Sequence, residues 1–153
     1  MKQLGMVVLI AAAVLAPVGV AETPGSHPHY VRARSDLRAA QWLLRVQEEP
    51  NVTRHLRKAD QEVEAAIREA DRAAMLDRKY IEDHPRVDTN LDRPGRFRKI
   101  MALLRSARED INREEDNPRA RGWRDAAFRH IDAALDHVRD AAREAHLDRA
   151  LGF

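Results

Sequence analysis

Leu56-Arg-Lys-Ala-Asp-Gln-Glu-Val-Glu-Ala-Ala-Ile-Arg-Glu-Ala-Asp-Arg-Ala-Ala74 decides the fold. Its apolar residues fall at Leu56, Ala59, Val63, Ala66, Ala70 and Ala73, with Ile67 and Ala74 beside them. The steps alternate between three and four, the period of an α-helix with one buried stripe, and not the period of two of a half-buried strand. The same pattern recurs at Ala127, Ile131, Ala134, Val138, Ala141 and Ala145, flanked by Phe128 and Leu135. Tyr30, Ala33, Leu37, Ala40 and Leu44 form a third stripe, and Phe97, Ile100, Leu104, Ala107 and Ile111 a fourth. Pro28, Pro50, Pro85, Pro94 and Pro118 lie between or at the starts of these segments, where proline is tolerated. The spacing predicts four helices at about 28–49, 53–80, 94–115 and 118–147. Asn117 before Pro118 reads as an N-cap for the fourth.

The two halves of the chain repeat. An offset of 67 sets Tyr30 on Phe97, Leu37 on Leu104, Ala40 on Ala107 and Leu44 on Ile111. An offset of 68 sets Ala59 on Ala127, Val63 on Ile131, Ala66 on Ala134 and Ala73 on Ala141. The turn signals match as well, Glu48-Glu49-Pro50-Asn51 against Glu115-Asp116-Asn117-Pro118. The unit is a helical hairpin of about 67 residues, without the Trp, Leu-Gly and Tyr signature of tetratricopeptide repeats. Each hairpin has a single apolar stripe that it can bury only against the other. The expected fold is all-α, an antiparallel four-helix bundle of two tandem hairpins. Hairpin 1 covers about 28–80, a connector 81–93, and hairpin 2 about 94–147. Leu91 or Val87 is expected to pin the connector to the bundle.

Upstream, Lys2 precedes an apolar run from Met6 to Ala16, followed by Pro17-Val18-Gly19-Val20-Ala21. A positive start, a short apolar stretch and small residues before the cut make residues 1–21 a signal peptide, cleaved after Ala21. The run is too short and too interrupted for a membrane span of about 20 residues. The expected location is therefore periplasmic or secreted, with residues 22–153 as one mature domain and no membrane span after processing.

Composition excludes much chemistry. With no cysteine among 153 residues there is no disulfide, no cysteine-ligated zinc or iron–sulfur site and no c-type haem. Arginine outnumbers lysine 23 to 4, yet acids balance the bases on the same segments, which argues against nucleic acid as a partner. Ser26, Ser35 and Ser106 sit in no nucleophile motif, and Gly25, Gly95, Gly122 and Gly152 form no phosphate loop. A carboxylate-bridged di-metal site needs Glu-x-x-His on two helices, and the chain has none. No enzymatic activity is expected.

Two features carry functional readings. Ala39, Trp42, Leu43 and Val46 lie at i, i+3, i+4 and i+7, and Trp42 and Val46 point almost opposite to Leu37 and Leu44. A helix with two apolar faces is either covered on both or offers one to a partner. The connector or the N-terminal tail could cover the second face; otherwise it meets another envelope protein, a second copy of the chain, or lipid. The equivalent positions in the second hairpin are polar: Ser106, Glu109, Asp110 and Arg113. Histidines are the second feature. His130 and His137 flank the fourth stripe and, with Met101 on the third helix, suit a b-type haem. His27 and His29 suit a divalent transition metal. The leading expectation is a non-enzymatic interaction module, of an envelope-stress or chaperone-like kind, with no cofactor. The alternative is a haem- or metal-binding carrier.

His27-Pro28-His29-Tyr30, Asp36-Leu37-Arg38-Ala39-Ala40, Asp83-His84-Pro85 and Arg113-Glu114-Glu115-Asp116-Asn117 with Arg129-His130-Ile131-Asp132-Ala133-Ala134 resemble exported, all-helical proteobacterial proteins with no assigned activity. The resemblance spans nearly all of the mature chain. It implies an envelope location and a helical fold, and carries over no functional residue.

Overall fold

The computed structural model describes residues 28–76, 85, 87–88, 90–114 and 121–152. The leader at 1–21, His27 and the Asn117 cap lie outside the described residues. All regular structure among the described residues is helical: α1 (Pro28–Leu44), α2 (Pro50–Leu76), α3 (Arg93–Glu114), α4 (Arg121–Glu144) and the short α5 (Asp148–Leu151). Alanine and arginine are the commonest residues of these segments, and both cost little in a helix.

The four stripes read from the sequence are the core. Every residue in them is buried except Ala145, which packs against the core from its edge. Phe97, Leu37, Leu56, Ile100, Leu104, Ile111 and Ile131 are the largest fully enclosed stripe side chains, each contributing about 1.5–3 kcal/mol of transfer free energy. Leu43, Leu103 and Met101 are buried as well, which widens the apolar face of α1 and α3 beyond a single stripe, and Val52 is buried at the start of α2.

Side-chain pairs set the helix directions. Arg34 to Asp71 (2.5 Å) and Arg45 to Asp60 (3.1 Å) make α1 and α2 antiparallel. Asn51 to Glu144 (2.8 Å) and His130 to Glu62 (2.6 Å) make α2 and α4 antiparallel. His29 to Asp110 (2.7 Å) and the Ser106–Asp36 hydrogen bond do the same for α1 and α3. It follows that α1 and α4 run one way and α2 and α3 the other. The most extensive packing joins the halves of the chain, α2 on α4 and α1 on α3. Small side chains at Ala59, Ala66, Ala134 and Ala141 let α2 and α4 approach closely.

Helix ends differ from the sequence expectation where the chain turns. The first helix stops at Leu44, not near 49, because Pro50 opens α2 and a residue before proline disfavours helical geometry. The Thr53 hydroxyl donates to the Glu48 carbonyl (2.8 Å) and closes this turn. The third helix begins one residue early, capped by Asp92, whose carboxylate accepts the Gly95 N–H (2.9 Å). A Cβ at position 95 would meet that carboxylate, which would have to shift to make room for it. The fourth helix ends at Glu144, not 147, and the chain adds α5.

Candidate functional site

The outer face of α1 is divided. Ala39 and Leu43 belong to the core, 7% and 1% exposed, whereas Trp42 is 67% and Val46 37% exposed. The four-residue patch expected from the sequence therefore narrows to Trp42 and Val46. Ala39 is turned toward α3, where it lines a cleft of about 370 Å³ with Ser35, Asp36, Lys99, Leu103 and three connector residues, Pro85, Val87 and Asp88. Val87 packs on the core, in line with one of the two pinning residues expected. Connector residues thus meet the Ala39 edge of α1. Trp42 and Val46 keep their exposure at the helix end.

The polar residues of the cleft act on one another. Burial pushes the Asp36 carboxyl up from its ordinary value of 3.8; a Ser106 hydrogen bond pulls the other way, and the neighbouring Asp110 adds to the rise. Asp110 occupies the position equivalent to Leu43 and accepts the His29 Nδ1–H, with Arg32 3.5 Å away.

His29, His130 and His137 do not converge on one site. His29 is committed to Asp110 on the α1–α3 side. His130 is committed to Glu62, its own counterpart at an offset of 68. Met101 is buried in the core, as are Ile131, Ala134 and Val138 of the neighbouring helix. A haem between α3 and α4 would have to displace such residues. His137 lies elsewhere, with His55 of α2 and Asp140 of α4, the three offering ligand atoms within 4.8 Å of one another. Sequence reasoning singled out His137 but not Asp140 or His55, and only the antiparallel register of α2 on α4 brings His55 across to the other two.

Arginine side chains brace the opposite joints. Arg93 and Arg96, at the start of α3, both reach the buried Glu48 carboxylate, with Arg93 at 2.7 Å, and Arg93 also meets Glu49. Burial lowers the Arg96 pKa from its ordinary value. Arg108 stacks over Phe128 with 4.4 Å to the ring centre and reaches Asp132 (2.9 Å). These contacts occupy charged groups in structural roles between helices.

No helix among the described residues is long and apolar enough to cross a membrane. Comparison with protein families finds no matching family model, and comparison with curated proteins and with solved structures finds no match either.

Proposed function

We propose that the protein is an exported, single-domain antiparallel four-helix bundle of two tandem hairpins, freed of a leader over residues 1–21, that works in the periplasm by contact with another macromolecule and not by catalysis. A chaperone-like or envelope-stress role fits this reading. The observation that carries it is Trp42, held 67% exposed near the end of a well-packed helix. The fold does not need an aromatic there. The equivalent position in α3 is Glu109, exposed and ion-paired with Arg113. Tryptophan is also the residue most often found to dominate a binding surface. Trp42 and Val46 alone fall far short of the roughly 800 Å² per partner of a stable interface, so the contact is a transient one.

Sedimentation velocity and pull-down from the native envelope test the reading on the wild type, Trp42→Ala and Val46→Asp. Both substitutions are at exposed positions and should shift stability by no more than about 0.5 kcal/mol. Self-association or partner capture should fall at least ten-fold in each. Wild-type behaviour of both variants in both assays would sink this site.

A further inference from the structure

We propose that His55, His137 and Asp140 form a binding site for one Zn(II) ion that bridges the first half of the chain to the second. The argument starts from an orphaned atom. His55 Nδ1 is fully buried and has no hydrogen-bond partner. Leaving such a group unsatisfied is unfavourable, and each instance in a folded protein calls for a reason. Its nearest acidic group is Asp140 Oδ2, 3.9 Å away, too far for a hydrogen bond. That gap is close to what a bound ion needs. Ligands about 2.0–2.1 Å from a tetrahedral zinc stand about 3.3 Å apart, so the two groups need move only slightly.

The third ligand and the support around it are in place. His137 and Asp140 are three residues apart on α4 and therefore share a face. All three ligand residues are partly buried, so the site is shielded yet reachable from solvent. Asp140 is already oriented, because Arg143 Nη1 donates to its Oδ1 (2.7 Å) and leaves Oδ2 toward His55. A ligating carboxylate held by such an outer hydrogen bond is the usual arrangement in metal sites. Two imidazoles and one carboxylate suit a borderline divalent cation, and three protein ligands leave a fourth position for water or a guest ligand.

The site occurs once among the described residues. The repeat offset carries His55, His137 and Asp140 onto Trp123, Glu69 and Arg72. Glu69 and Arg72 there form an ion pair (2.8 Å) instead. A stoichiometry of one ion per chain follows. Its ligands come from α2 and α4, so the ion clamps the two hairpins together and favours the folded state over the unfolded one.

Calorimetric titration of the full purified chain with zinc chloride tests the proposal. One equivalent should bind, the melting temperature should rise with zinc concentration, and His55→Ala and His137→Ala should each weaken binding at least ten-fold. His130→Ala, which removes the partner of Glu62, should leave zinc affinity unchanged. Imidazole NMR signals of the unaltered protein give a readout independent of any variant's folding. Those of His55 and His137 should shift together and stop at one equivalent. Absence of stoichiometric binding would overturn the proposal. So would zinc uptake that survives both substitutions and is lost when His27 and His29 are replaced.

Discussion

Asp36 shows what a single half-buried carboxyl does to this protein. It lies between α1 and α3, where burial disfavours the charged form and Asp110 adds repulsion, while Ser106, Lys99 and Arg32 only partly offset them. Its folded pKa is raised above the unfolded value, so the stability it contributes is complete below 3.8 and is lost as pH rises through the folded pKa. Asp36→Asn removes the ionisation and retains an oxygen for Ser106. This variant should melt higher than wild type at neutral pH, and the difference should vanish as pH falls below the ordinary carboxylate value. Paired thermal melts across that range check it; a constant difference would mean that the charge is not the cause. Arg34, by contrast, is a buried cation whose guanidinium lies 2.5 Å from the Asp71 carboxylate.

Among the elements, the helix ends carry the most individual chemistry. The start of α3 has two arginines, Arg93 and Arg96, where the helix dipole favours negative charge. Glu48 and Glu49, from the turn between α1 and α2, meet those arginines and offset the mismatch. At the end of α4, the Leu147 N–H donates to the Ala142 carbonyl and the His146 N–H to the Arg143 carbonyl, both at 2.9 Å. This double closure places His146 in the left-handed region at φ 54°, which costs a residue with a Cβ about 1 kcal/mol. The His146 side chain is exposed. His146→Gly should therefore stabilise the protein by about 0.5–1 kcal/mol, read as a higher midpoint in urea at unchanged slope.

For the molecule as a whole, the two halves meet mainly through α2 on α4 and α1 on α3. Glu62 and His130 are equivalent under the repeat offset, and they face each other across α2 and α4. Ala59 and Ala66 of α2 and Ala134 and Ala141 of α4 have no exposed surface, so close approach of the two helices depends on small side chains at these positions. Ala134→Leu would place three extra carbons at a position with no exposed surface. Overpacking of this kind costs about 1–3 kcal/mol, so its denaturation midpoint should fall while helicity in the folded baseline is retained. A variant as stable as wild type would show that the seam is looser than its burial implies.

The four long helices and their core stripes were legible in the sequence, because burial on a helix imposes a three-and-four spacing that needs no knowledge of the partner; the short α5 was not. The ends were less legible. Shortening of α1 follows from Pro50 and could have been read, but the Asp92 cap and the left-handed His146 depend on backbone geometry that spacing does not encode. Apolar spacing also singled out Trp42, yet it could not separate Trp42 and Val46 from Ala39 and Leu43. Which side of α1 meets α3 is set by how the halves dock. The His55 group was out of reach for the same reason. His55 lies more than eighty residues before His137 and Asp140 in the chain. Periodicity records which face of a helix avoids water, whereas the packing of α2 against α4 decides which residues of two such faces become neighbours.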